Sequence, residues 1–188
     1  MVTPSWCTVR VAPSFSSLLT DGPKATWIHS QVFPRTSNGL RRGKTKSVES
    51  SDEPTLMPYL LDTDTCIYAL KHDAGVIEQL LSKSREEIIV SVISEAELRT
   101  GAAKSSTPTK TLRLVENFLR PLAIAEFTSD DAIAYAHVRS KLERAGTPIG
   151  PLDTLIAGQA VARELILVSN NEREFKRVSG LHVENWRR

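Results

Sequence analysis

Residues 88–97 read IIVSVISEAE, a continuous β-branched run that changes into helix-forming residues and acids. A strand buried on both faces, as in a parallel sheet covered by helices, has this continuous apolar character. Two shorter apolar runs, at residues 59–61 and 165–168, are separated from it by segments with helical periodicity. This alternation predicts an α/β domain of three layers, in which helices flank a central parallel sheet.

Carboxylates stand beside these strands on three separate segments of the chain: Asp62 and Asp64, Glu95 and Glu97, and Asp153. In an open parallel sheet, ligands bind beyond the carboxyl ends of the strands. Acids that gather there repel one another, and a hard divalent cation with oxygen ligands relieves that repulsion. The pattern therefore predicts a Mg²⁺ or Mn²⁺ site for phosphoryl chemistry.

The remaining elements follow from periodicity and capping signals. Helices are predicted near 64–70 and 74–83, from a Ser94–Glu97 capping box to about Gly101, along 112–119, from the caps at 128–131 to Gly146, and after Asp153; further strands are predicted at 124–127 and 181–183.

The composition describes a soluble globular chain. Of the 188 residues, 40% are hydrophobic and 24% charged, and no apolar run reaches the roughly 18 residues of a membrane span. Cys7 and Cys66 form no disulfide framework and no zinc-binding spacing. We expect a cytoplasmic protein that does not interact with membranes.

Residues 1–56 differ from the rest of the chain in composition. They are rich in Ser, Thr, Pro and Gly, lack periodicity and include the basic run 41–46. We predict that they are disordered or a misannotated extension ahead of a start at Met57, with a transit peptide as the alternative. Residues 57–188 would form the domain. They carry 17 basic and 18 acidic side chains, so any RNA-binding surface must be local or supplied by a second subunit.

Each candidate acid also has a structural explanation. Asp62 and Asp153 are ordinary helix caps, and Glu97 closes the predicted capping box with Ser94. Asp130 and Asp131 are interpreted as caps, and Asn170-Asn171 as a turn. The chain has no glycine-rich phosphate loop, which argues against a P-loop nucleotidase. Its four histidines form no i, i+4 pair, which argues against a histidine-based metal or nucleophile site.

Four stretches resemble the PIN-domain ribonucleases, specifically the VapC-type toxins of type II toxin–antitoxin modules. They are LLDTDTCIYALK (60–71), VSVISEAELRTGAAKS (90–105), AGTPIGPLDTLIAGQA (145–160) and LVSNNEREFKRVSGLHVENW (167–186). Together they cover nearly all of residues 57–188.

The resemblance implies a catalytic set of Asp62, Glu97, Asp153 and Asn171, in which the three acids bind Mg²⁺ or Mn²⁺. Asn171 falls where many relatives carry Asp, and Glu174 is a candidate outer acid that compensates for the difference. Asp64 falls where relatives usually carry Asn, and the Thr63 hydroxyl matches a position suited to orienting Asp62.

The activity implied is metal-dependent endonucleolytic cleavage of RNA, with tRNA as a candidate substrate. The resemblance also implies a homodimer and a cognate antitoxin whose C-terminal segment fills the acidic groove.

Three alternatives remain at the level of sequence. One is a PIN-fold domain that binds a partner and is catalytically weak or inactive, since the fourth acid is missing. Another is a DNA-directed nuclease of the same fold. The third is a haloacid-dehalogenase-like phosphatase with Asp62 as nucleophile, although Cys66 stands where that motif requires Thr or Val.

Overall fold

The computed structural model describes residues 58–187 and shows a central sheet of five strands that all run parallel. In chain order the strands are β1 (Tyr59–Leu61), β2 (Ile88–Ser91), β3 (Ala123–Ala125), β4 (Ile166–Val168) and β5 (His182–Glu184). Their order across the sheet is β3-β2-β1-β4-β5, so β1 is central. The predicted three-layer α/β architecture is confirmed. The prediction for residues 1–56 lies outside the described residues.

Helices connect the strands within this range. They are α1 (Thr63–Leu70), α2 (Ala74–Ser82), α3 (Val92–Ala103), α4 (Pro108–Leu119), α5 (Ser129–Arg144), α6 (Pro151–Ala162) and the short α7 (Glu172–Phe175), with a 3₁₀ turn at Arg85–Glu87. None of the helices in residues 58–187 is both long and apolar enough to cross a membrane.

The predicted start of the third helix is wrong. Residues 92 and 93 continue the β-branched run, yet they already belong to α3, because the Ser91 side chain caps that helix by accepting from the N–H of Ile93 at 3.1 Å. Ser94 is fully buried inside the helix, where its hydroxyl donates to the carbonyl of Leu61 at 3.4 Å. Glu97 is therefore not a capping residue, and the alternative in which it only caps the helix is excluded.

The register of β1 decides where the first acid lies. Leu61 is level with Val90 on one side and Val168 on the other. Asp62 is the next residue, and its N–H donates to the carbonyl of Val168 at 3.0 Å. The carboxyl ends of β1, β2 and β4 consequently meet around Asp62.

Close packing between α5 and α6 sets the direction of the helix that carries Asp153. A Cβ atom on Gly158 of α6 would lie 2.7 Å from the Cα of Tyr135 on α5, so only glycine permits this approach. On the sheet side of the pair lies a continuous buried core: Leu60, Val138, Leu142, Ile156, Ala157, Ala160, Leu165, Leu167, Phe175 and Val178.

An ion pair joins the start of α5 to the end of α6. Asp131 is 1% exposed and accepts from the guanidinium of Arg163 at 2.9 and 2.6 Å, and its carboxylate also accepts from the N–H of Thr128. The predicted capping role of Asp131 is confirmed. Burial alone would raise the pKa of Asp131, but the hydrogen bonds from Arg163 and Thr128 outweigh burial and hold it below its usual value.

We expect Arg163→Met to destabilise the protein by about 2 kcal/mol, measured by urea unfolding at pH 7. Loss of one partner of a buried pair costs about 3–5 kcal/mol, and we reduce that figure because the Arg163 side chain is 32% exposed. Arg139→Met removes an exposed pair with Glu143 on α5 and serves as the matched control, with nearly unchanged stability expected.

The loss in Arg163→Met should depend on pH in a defined direction. The folded protein holds Asp131 ionised at lower pH than the unfolded chain does, so the ion pair stabilises fully above about pH 4. That stabilisation is lost as the pH falls through the folded pKa, where wild type and variant should converge. An equal difference at every pH would show that Arg163 contributes only by packing.

Candidate active site

Asp62 is the buried centre of the site. It is the N-cap residue of α1, only 5% exposed, and its Oδ1 accepts from the N–H of Thr63 at 2.7 Å. Burial raises the pKa of Asp62 well above its ordinary value, and the neighbouring charge of Asp64 raises it further. Hydrogen bonds from Ser169 and Thr63 act in the opposite direction. The predicted cap is thus also a buried carboxylate whose ionised form is disfavoured by burial and by a neighbouring acid.

Ser169 is a site residue that the sequence analysis did not assign. It follows β4 directly, is fully buried, and donates its hydroxyl to Oδ2 of Asp62 at 2.7 Å. Its oxygen in turn accepts from the N–H of Asn171 at 3.0 Å. The register between β1 and β4 could have identified Ser169, because the residue after β4 lies beside the residue after β1 in this parallel pair.

Thr63 contributes to the site through different atoms from those predicted. Its backbone N–H, and not its hydroxyl, bonds to Asp62. The hydroxyl donates to Oε2 of Glu97 at 2.6 Å, which joins α1 to α3. Thr63 therefore links the first two predicted acids.

Asp153 stands in the first turn of α6, facing other acids. Burial, followed by the charges of Glu174 and Glu97, raises the pKa of Asp153 to about 6. The charge of Asp64 adds to the repulsion. Glu174, predicted as an outer acid, accordingly faces the third predicted acid.

The turn after β4 separates the roles of its two asparagines. The Asn170 side chain accepts from the amide of Asn185 at 3.3 Å, beside β5. Asn171 is half-buried at the N-cap position of α7, where its side chain makes no capping hydrogen bond. Of the two, Asn171 therefore has the side chain that remains available for the fourth position.

Two other candidates lie outside the site. Glu95 pairs with Arg99 one helical turn away, at 2.7 Å. Cys66 is fully buried, and burial followed by the charges of Asp62 and Asp64 raises the pKa of its thiol, so it is a protonated core residue.

The donor set is suited in type to a hard divalent cation. It consists of the carboxylates of Asp62, Glu97, Asp153 and Glu174, and no ion pair formed among residues 58–187 includes any of them. Carboxylate oxygens are the ligands that Mg²⁺ and Mn²⁺ prefer. Within the same range, no three Asp, Glu, His or Cys side chains already form a metal cage. Asp62 and Glu97 are instead held by the hydroxyl groups of Ser169 and Thr63.

A parallel α/β fold with acids from three segments gathered at one edge is suited to nuclease chemistry, and the sequence comparisons identify the class of nuclease. The PIN domain family matches residues 59–181, and the chain belongs to that family. Within the family, its relatives include VapC proteins. The tRNA(fMet)-specific endonuclease VapC of Salmonella typhimurium is 37% identical over 131 residues, covering 70% of this chain and 99% of that protein. Ribonuclease VapC2 of Rickettsia felis is 39% identical, covering 69% and 98%.

Solved structures agree with this assignment. The DNA-bound VapBC structure from Salmonella typhimurium superimposes with a TM-score of 0.66 at 37% identity, covering 69% of this chain and 98% of that one. VapBC2 from Rickettsia felis, bound to a fragment of its promoter DNA, gives 0.64 at 37% identity, covering 69% and 99%. The predicted resemblance is confirmed, and the phosphatase alternative finds no support.

Because Asp153 is held among like charges, its neutralisation should stabilise the protein in the absence of metal. We expect Asp153→Asn to raise the free energy of unfolding in EDTA at pH 7.5 by about 1 kcal/mol, a figure reduced for the partial exposure of the group. Chemical unfolding measures the difference.

Asp130→Asn is the matched control, because Asp130 is an exposed acid in the first turn of α5 and its removal should not stabilise. Addition of Mg²⁺ or Mn²⁺ should raise the stability of the wild type more than that of Asp153→Asn. Equal stabilisation of both would exclude Asp153 as a ligand.

Proposed function

We propose that this protein is a metal-dependent endoribonuclease that acts as the toxin of a toxin–antitoxin pair. The observation that carries the proposal is the buried carboxylate of Asp62 at the end of the central strand, with Glu97 and Asp153 brought beside it from two other segments. The identity to VapC ribonucleases across almost their whole length supports the same conclusion.

We assign the catalytic set to Asp62, Glu97, Asp153 and Asn171, with the three acids as metal ligands. A divalent cation held by these acids would supply Lewis-acid chemistry towards water and the phosphodiester. Asp62 is held by Ser169 and Thr63, and Glu97 by the Thr63 hydroxyl, so both side chains have fixed directions. Burial, followed by the charge of Glu174, raises the pKa of Asp153 to about 6, and a cation bound beside Asp153 would favour its ionised form.

RNA is the substrate that the relatives favour, and tRNA is our specific candidate. One relative is named as a tRNA(fMet)-specific endonuclease. The described domain lacks a strongly basic composition, so recognition would depend on the shape of a folded RNA and on exposed single-stranded bases.

A cognate antitoxin is the expected protein partner. The similar solved structures are VapBC assemblies. An antitoxin arginine opposite the unpaired carboxylates would form a charge-assisted bidentate contact. We further propose a cytoplasmic homodimer, in which the second subunit extends the RNA-binding surface.

The nuclease test compares the full chain with Asp62→Asn and with Asp153→Asn, each purified away from antitoxin and incubated with tRNA in Mg²⁺, Mn²⁺ or EDTA. Each substitution should lower cleavage by about a hundredfold or more, since it removes a group that binds the reacting centre. Gel separation and end-mapping of the fragments measure the result.

Glu143→Gln, an exposed acid on α5, is the control and should cleave like the wild type. Intact RNA in every metal condition, from protein shown to be folded, would favour the binding-only alternative. Faster cleavage of single-stranded DNA than of RNA would favour the DNA-directed nuclease.

A further inference from the structure

Asp64 is the one acid of the site whose two oxygens both face a backbone amide. Its Oδ2 accepts from the N–H of Asn170 at 3.1 Å and its Oδ1 lies 3.4 Å from the same nitrogen. The residues are 106 positions apart in the chain, so this contact ties the start of α1 to the turn after β4. A second weak contact at 3.4 Å joins Oδ1 to the hydroxyl of Ser169.

The amides of this turn follow one another in a connected series. Ser169 donates its N–H to Glu184 on β5, Asn170 donates to Asp64, and Asn171 donates to the Ser169 oxygen. That same oxygen carries the proton donated to Asp62. A shift of Asn170 would therefore move Asn171, and with it the hydroxyl that orients Asp62.

We propose that Asp64 is a positioning residue, which holds the Ser169–Asn171 turn through the Asn170 amide and so fixes the Ser169 hydroxyl on Asp62. The inference rests on the proposed nuclease function only for its kinetic consequence. Its structural content, a hydrogen bond from the Asn170 amide to the Asp64 carboxylate that helps to hold the turn, stands separately. Asp64 acts on the reacting centre through Ser169 and not as a ligand of its own.

The structural test is amide hydrogen exchange of the full chain, followed at Asn170 and Asn171. Asp64→Ala should speed exchange of the Asn170 amide by about tenfold or more, the loss expected for a hydrogen bond to a charged group. Asp64→Asn retains one acceptor oxygen and should give an intermediate rate. Unchanged exchange in Asp64→Ala would overturn the proposal.

The functional test is a double-mutant cycle with Ser169→Ala. We expect Asp64→Ala and Ser169→Ala each to lower kcat for RNA cleavage by about tenfold with little change in KM, and the double variant to be no worse than the poorer single variant. Such non-additivity indicates that both residues act through one interaction. Asp64→Asn should keep most of the wild-type kcat, because its side-chain oxygen can still accept from the Asn170 N–H.

Binding of Mn²⁺ alone, measured by calorimetry, separates positioning from ligation. If the Asp64 carboxylate were a ligand, Asp64→Asn would bind Mn²⁺ more than tenfold more weakly while the Asn170 amide stayed protected, and the cycle would be additive. Weaker Mn²⁺ binding with a protected Asn170 amide overturns the proposal, and so does an additive cycle.

Asp73→Ala is the control, because Asp73 also accepts from a backbone amide, that of Val76, but on α2. It should lower stability without changing kcat. If the wild type itself cleaves no RNA, the proposed function fails, whereas the amide exchange result for Asp64 still decides the positioning role.

Discussion

The burial of one carboxylate at the end of the central strand is the constraint on which the site depends. Asp62 is almost inaccessible to water and borders another acid, so ionisation is opposed both by desolvation and by repulsion. The surrounding chain compensates with a hydroxyl from Ser169 and an amide from Thr63. A bound cation would relieve the repulsion that remains between the acids. We expect a metal-binding site to retain such repulsion at some cost to the stability of the metal-free protein.

Much of the architecture was predictable because a few features impose it. Continuous apolar runs predicted a parallel sheet, and acids directly after those runs predicted the edge at which they meet. The third helix was misplaced because Val92 and Ile93 look like strand residues, while a single serine, Ser91, ends the strand by capping the helix. β-branched character reports burial against neighbours more than it reports backbone conformation.

The supporting groups were harder to predict than the acids. Ser169 and the Asn170 amide reach the site only through the register between β1 and β4, which no local pattern specifies. Thr63 was predicted at the correct place but with the wrong atom, because the choice between its hydroxyl and its N–H depends on the position of Glu97 on α3. The catalytic roles of Asp62, Glu97, Asp153 and Asn171 remain predictions that mutagenesis would test.

The hydrogen bond between Ser169 and Asp62 spans 107 positions, which has a consequence for synthesis. A chain that emerges from the ribosome N-terminal end first displays Asp62 and Glu97 long before it contains β4, and the central strand lacks one of its two neighbours until then. The site is therefore completed only after β4 and Ser169 have been synthesised. A nascent chain that ends before Ser169 holds the carboxylate of Asp62 without the hydroxyl that orients it in the folded domain.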